Sequence, residues 1–321
     1  MHWNRPLPRT RALLRRAAGI AGSLVGLIAA AAVLAGCGSS LAKAQPGKIL
    51  AVGAENQYAN VISQIGGRYV QVAAVMSNPN TDPHTFEASP AIAQEVGRAE
   101  LVVQNGLGYD DFMAKIESAT SGSDRKVIDV QSLERLPDST PNPHLWYRPE
   151  TMPLVAHALA AELIKLQPSH AGYFRANEAR FDRSMWSLRA ALKRFHAAHP
   201  HVAVATTEPV ADYLLQAAGI RNLTPFSMQA DIMNGTDPAP QAISAQNGLF
   251  AHHRVQAFVY NRQVTDSITN DFLTQAHDAG VPVVGVYETM PSPGYDYQSW
   301  MMAELHALQR AVVDDRSTTT L

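Results

Sequence analysis

Two histidines stand behind prolines in stretches that read as stiff loops: His84 in TDPHTFE and His144 in NPHLWYRPE. Proline fixes its own φ and restrains the residue before it, so a side chain held there loses little freedom on binding. Two glutamates complete the pattern, Glu208 after the apolar run VAVATT and Glu288 after VPVVGVY. Two imidazoles and two carboxylates offer the nitrogen and oxygen donors that first-row divalent metals take. Singly, each has an ordinary reading. A loop histidine is commonly solvated or hydrogen-bonded, and Glu208 could simply favour the N-terminus of the helix after it. The elements that carry the four residues raise them above that reading. Trp146 and Phe86 are expected to pack around the rings and exclude water.

The runs KILAVGAE (48–55), YVQVAAVM (69–76), ELVVQNG and RKVIDV read as strands. Helical patterns alternate with them, among them SPAIAQEVGRA, in which Ser89 suits an N-cap and Pro90 the first helical position. The alternation restarts with HVAVATTE, VQAFVYNRQ and VPVVGVYE, interleaved with PVADYLLQAAGI and SITNDFLTQAHDAG. This predicts an α/β protein with parallel, Rossmann-like sheets covered by helices. Between the two series, residues 170–199 hold no breaker. Tyr173, Phe174, Phe181, Met185, Leu188, Leu192 and Phe195 recur there at helical spacing. At 1.5 Å per residue that helix is about 45 Å long. The expected organisation is a first lobe over 48–167, a linking helix over 168–199, a second lobe over 200–312 and a disordered tail over 313–321. In open α/β sheets, ligands sit beyond the carboxyl ends of strands. His84 and His144 fall there in the first lobe, Glu208 and Glu288 in the second.

The N-terminus reads as an export signal. Arg5, Arg9, Arg11, Arg15 and Arg16 precede a long apolar run, with no acidic residue before Cys37. The run ends in LAGC, which resembles the bacterial lipobox, where the cysteine is lipidated and becomes the first residue. The alternative is a plain transmembrane anchor, since the run approaches spanning length. On the lipobox reading, residues 1–36 are the signal, Cys37 carries the lipid and 37–47 form a tether. Cys37 is the one cysteine, so any metal site must use His, Asp and Glu. Removing 1–36 leaves 21 basic and 28 acidic residues, a net charge of −7. An acidic chain with 17% charged residues and no basic face excludes a nucleic-acid binder.

TDPHTFE, VVQNGLGYDDFM, NPHLWYRPE, TTEPVADYLLQAAG and VYETM, in that order, resemble the metal-binding lipoproteins of bacterial ABC transporters. These are the cluster A-I solute-binding proteins for zinc, manganese or iron. The resemblance spans about residues 48–312. It implies two α/β lobes joined by a rigid helix, with the metal in the cleft between them. It also implies an ABC permease as partner, a lipid-anchored monomer outside the cytoplasm, and no catalysis. By motif position His84 and His144 match the first-lobe histidine ligands, and Glu208 matches the third ligand. Glu288 matches the fourth, which is usually Asp; Asp231, Asp237 and Asp296 are the substitutes should Glu288 point away.

Two nitrogens and two carboxylates suit manganese, whereas zinc accepts the same set as a tetrahedron, and iron also fits. The long His-rich loop of many zinc importers is absent, since 118–143 contains no histidine. His196, His199 and His201, in HAAHPH, are either an accessory metal patch or a solvated helix end. A metal-dependent hydrolase and an adhesion lipoprotein are the competing classes. The chain has neither an H-E-x-x-H pair nor a G-x-S-x-G elbow, and adhesion leaves the four donors unexplained.

Overall fold

The computed structural model describes residues 45–78, 86–120, 124–291 and 293–321. The expected signal over 1–36, the lipidation site Cys37 and the candidate ligand His84 lie outside the described residues.

Strand β1 (Ile49–Glu55) leads through α1 (Asn56–Gly66) to β2 (Val70–Met76). Then follow α2 (Pro90–Arg98), β3 (Leu101–Gln104), α3 (Asp111–Ala119), β4 (Lys126–Asp129) and the one-turn α4 (Val130–Leu133). The strands form a parallel sheet in the order β2-β1-β3-β4. Ser89 caps α2 through its hydroxyl, and Pro90 opens the helix. Two helices, α5 (Thr151–Leu166) and α6 (Ala171–Ala198), separate this lobe from the next.

The second lobe comprises β5 (Ala203–Thr206), α7 (Asp212–Ala217), β6 (Arg221–Asn222), α8 (Phe226–Met233) and α9 (Pro240–Ala251). It continues through β7 (Ala257–Asn261), α10 (Ser267–Asp278), β8 (Val283–Val286) and α11 (Tyr297–Asp314). Its sheet is also parallel, in the equivalent order β6-β5-β7-β8. In both sheets the strand order reverses beside the first strand, the place where such folds open a crevice.

Side-chain alternation divides each sheet between two cores. Ile49 and Ala51 of β1, Leu101 and Val103 of β3, Val204 of β5, Ala257 and Val259 of β7, and Val284 and Val286 of β8 all join one apolar cluster. α1, α5, α6 and α11 contribute to it, so both lobes share this core. The intervening residues face outward. Leu50, Val52 and Val102 pack under α2 and α3, while Ala205, Phe258 and Val283 pack under α8, α9 and α10. A strand buried on both faces reads as a continuous apolar run, as these do. Helix α6 is 28 residues long, about 42 Å. It buries Phe174, Phe181, Met185, Leu188, Leu192 and Phe195 along one stripe and leaves Trp186 exposed on the other side.

The C-terminal segment is a correction to the sequence reading. α11 runs through Asp314, and Thr318 pairs in parallel with Val284. The Thr318 amide donates to Val283 O at 2.8 Å, and the Gly285 amide donates to Thr318 O at 2.9 Å. β8 is the last strand of its sheet, and its open backbone groups offer a template that polar composition could not reveal. Gly285 permits the approach, since a Cβ there would lie 2.6 Å from Thr319 O.

Candidate metal centre

Asn142 sets the geometry of the NPH stretch. Its Oδ1 accepts from the His144 amide at 3.0 Å and faces the His144 ring Nδ1 at 2.7 Å. Its Nδ2 donates to Pro209 O, across the lobes, at 2.8 Å. A carbonyl oxygen only accepts, so the amide orientation is fixed and Oδ1 must be the acceptor for the ring as well. Nδ1 therefore carries the proton, and in the neutral ring Nε2 presents a lone pair. Nε2 lies 3.3 Å from Glu288 Oε2, to which it donates when it also carries a proton, and both side chains are fully buried.

Glu288 is held from all sides. The Tyr109 hydroxyl donates to its Oε2 at 2.9 Å, and Asn261 Nδ2 donates to its Oε1 at 2.5 Å. The same Asn261 nitrogen donates to Glu208 Oε2 at 3.2 Å, so one amide links the two carboxylates. Asn261 is the last residue of β7, and its Oδ1 accepts from the Gln263 amide, which fixes its orientation. Gln263 Oε1 in turn accepts from the Glu288 and Thr289 amides at 2.6 and 2.8 Å.

The first turn of α1 clamps this segment from the opposite lobe. Asn56 donates to Met290 O and accepts from Met290 N, at 2.8 and 3.0 Å, and Gln57 donates to Glu288 O at 3.2 Å. Trp146 stands edge-on to the His144 ring at 5.4 Å, and Tyr109 stands edge-on at 5.7 Å. These rings keep water from the imidazole. Phe86 instead packs on Phe112, at 4.9 Å. Burial, followed by the Glu288 charge, pushes the Tyr109 hydroxyl well above its ordinary range, so it stays a donor.

The sequence-predicted residues thus meet in part. His144 and Glu288 are in contact, and Glu208 joins them through Asn261. Among the described residues, no three His, Cys, Asp or Glu side chains converge closely enough to hold an ion. Of the substitutes for Glu288, Asp296 is the exposed N-cap of α11 and Asp237 is exposed, while Glu288 has the inward place. The HAAHPH histidines do not gather: His196 lies over Gly219, His199 tilts on Phe195 and His201 is exposed.

Tyr109, Asn142, Asn261, Asn56 and Gln57 were not singled out by sequence reasoning. NGLGYDD placed Tyr109 after a strand, and Asn261 ends a strand as Glu208 and Glu288 follow theirs. Position at a carboxyl strand end, applied to amides and phenols as well as to acids, would have found both. Two further acids are buried nearby. Burial pushes the Asp110 carboxyl up to about 7, although the Asn105 and Gly106 amides donate to it at 2.5 and 2.9 Å. Burial first, then the Asp110 charge, push the Glu55 carboxyl well above the usual range.

Two parallel α/β lobes, a long helix between them and a buried polar site at the strand ends define a two-lobed solute-binding fold. The chain belongs to the family described as zinc-uptake complex component A, periplasmic, whose model matches residues 52–311. The motif resemblance to cluster A-I binding proteins is thereby borne out.

Among relatives, the chain is 28% identical over 177 residues to the manganese-binding lipoprotein MntA of Bacillus subtilis, covering 52% of this chain and 56% of that one. It is 22% identical over 277 residues to the manganese ABC transporter substrate-binding lipoprotein PsaA of Streptococcus anginosus, covering 82% and 87%. The zinc-binding protein TroA of Treponema pallidum is 26% identical over 156 residues, covering 47% and 50%. The chain thus spans about half the length of MntA and TroA in these matches. The solved structure of TroA superposes with a TM-score of 0.69 at 19% identity, covering 83% of this chain and 98% of that one. The binding protein FpvC of Pseudomonas aeruginosa, in complex with Mn2+, gives 0.68 at 19% identity, covering 84% and 99%. Among the described residues no helix is long and apolar enough to cross a membrane.

Proposed function

We propose that this chain is the substrate-binding component of an ABC importer. It captures a zinc or manganese ion outside the cytoplasm and hands it to the membrane permease. It works as a monomer tethered through a lipid on Cys37, and it catalyses no reaction. The ligands are His144, Glu208 and Glu288, together with His84 by its motif position.

The pairing of His144 Nε2 with Glu288 Oε2 carries this reading. Nε2 faces a carboxylate oxygen across the lobes in a dry site, a contact that a proton on Nε2 bridges in the free chain and that a bound cation can take over. A tetrahedral zinc about 2.05 Å from each donor sets the two donors about 3.4 Å apart. The observed separation is 3.3 Å. The pair spans the two lobes, so an ion held there also ties them together. Carboxylates on Asn261 and Tyr109 hydrogen bonds are oriented before the ion arrives, which lowers the ordering cost of binding.

The test is metal content and metal-dependent thermal stabilisation of the mature chain, purified from its own compartment without added metal or tag. One equivalent of zinc or manganese supports the proposal, with the thermal shift lost in His144→Ala. No metal and no shift with either ion would overturn it.

A further inference from the structure

Strand β8 ends at Val286, whose carbonyl accepts from the Arg262 amide at 3.0 Å. Tyr287, the next residue, leaves the sheet with buried backbone groups that need new partners. One side chain of the first lobe serves both. The Tyr147 hydroxyl donates to Tyr287 O at 2.8 Å, nearer than Glu304 Oε1 at 3.3 Å, and accepts from Tyr287 N at 3.4 Å. Tyr147 is fully buried, and its ring stands edge-on to Trp300 of α11 at 5.6 Å. Burial, followed by the Glu304 charge, pushes its hydroxyl well above the ordinary range, so it stays a donor.

Both ends of this bond adjoin a proposed ligand. Tyr147 closes the short 3-10 turn Leu145–Tyr147 that follows His144, and Tyr287 directly precedes Glu288. The bond therefore joins the backbones of the two donors that stand 3.3 Å apart. The same stretch is tied to the second lobe at its other end, where the Tyr213 hydroxyl donates to Asn142 O at 2.9 Å and Asn142 donates to Pro209 O. Within the turn, the Tyr297 hydroxyl of α11 donates to Trp146 O at 2.7 Å. His144 thus lies between ties to the second lobe on either side, although Asn105 of the first lobe donates to Pro143 O at 2.8 Å.

We propose that Tyr147 is a positioning residue for metal capture, whose hydroxyl latches the peptide before Glu288 to the turn after His144 and so sets the gap between the two donors before the ion arrives. This rests on the metal-capture reading. Asn142 aims the imidazole, whereas Tyr147 sets how far the carboxylate stands from it. A gap already near the span of a bound ion lowers the ordering that capture requires. Such an outer partner acts on affinity through the ligands it holds. Because it fixes spacing and adds no donor, it serves zinc and manganese alike.

The experiment is a chelator-competition titration of the mature full chain with Zn(II) and with Mn(II), alongside metal-free thermal midpoints and hydrogen exchange at the Tyr287 amide. The parent is compared with Tyr147→Phe, His144→Ala and Phe272→Leu, the last a change in the outer core of the second lobe. Tyr147→Phe keeps the ring on Trp300 and loses only the hydroxyl. It is expected to bind both ions about ten- to a hundredfold more weakly. Phe272→Leu is expected to lower the midpoint at parental affinity, which separates positioning from stability. In the parent, the Tyr287 amide is expected to be protected with and without metal. Parental affinity in Tyr147→Phe, an equal affinity loss in Phe272→Leu, or a Tyr287 amide that exchanges freely without metal would overturn the role of Tyr147. Parental binding by His144→Ala would instead overturn the metal site on which the proposal rests.

Discussion

Asn142→Ala isolates the element that aims the imidazole without touching a proposed ligand. The substitution strands the His144 amide, its Nδ1–H and the Pro209 carbonyl, three buried groups that Asn142 now satisfies. Each buried group left unpaired costs about 1–3 kcal/mol, with partial relief from relaxation. The metal-free chain should therefore lose about 3 kcal/mol of stability. The ring also loses the bond that fixes its tautomer and direction. Removing such an outer partner weakens metal binding by about 10–100-fold, or about 1.4–2.7 kcal/mol. Chelator competition at fixed pH measures the affinity, and urea unfolding of the metal-free protein measures the stability. Asn142→Asp keeps the acceptor and gives up only the donor to Pro209, so it should retain more affinity than Asn142→Ala. Parental affinity in Asn142→Ala, at any stability, would refute the argument that Asn142 presents Nε2 to the ion.

The remaining predictions concern packing, the lobe clamp and pH. Trp146 is fully buried beside His144; Trp146→Ala should cost about 3–5 kcal/mol, read as a lower urea midpoint, and a loss under 1 kcal/mol would contradict the packing. Asn56→Ala removes both bonds to Met290, so it should lower metal affinity with Glu288 itself intact; binding equal to the parent would show that the clamp does not matter. Burial raises the Glu304 carboxyl from 4.5 to about 8, against the bonds from Trp300 and Tyr147. A folded-state value above the unfolded one means that the stability it contributes is full below pH 4.5 and is lost as pH rises through about 8. Glu304→Gln should thus gain on the parent between pH 5 and pH 8 in metal-free thermal scans, and parallel profiles would rule this linkage out.

Much of the architecture was legible because both sheets are buried on both faces. Runs such as ILAVGAE and VVGV admit few readings other than strands, and breaker-free 170–199 admits little but a helix. The positions of His144, Glu208 and Glu288 followed from one topological rule about strand ends. Other features were written in space rather than in order. β6 is two residues long and exists because β5 offers it a register. The tail at Thr318 pairs because β8 has a free edge, although its own composition reads as disordered. Asn261 and Gln263 are neighbours in the chain, but their amides meet the distant Glu288 only in the folded second lobe, and only the meeting of the lobes brings Asn142 onto Pro209 and aims His144 at Glu288.

The most direct test of metal capture between the lobes is anomalous diffraction from crystals grown with manganese or zinc. The account predicts one peak within about 2.0–2.3 Å of His144 Nε2 and in contact with the Glu288 carboxylate. A peak elsewhere, or none at saturating metal, would contradict it.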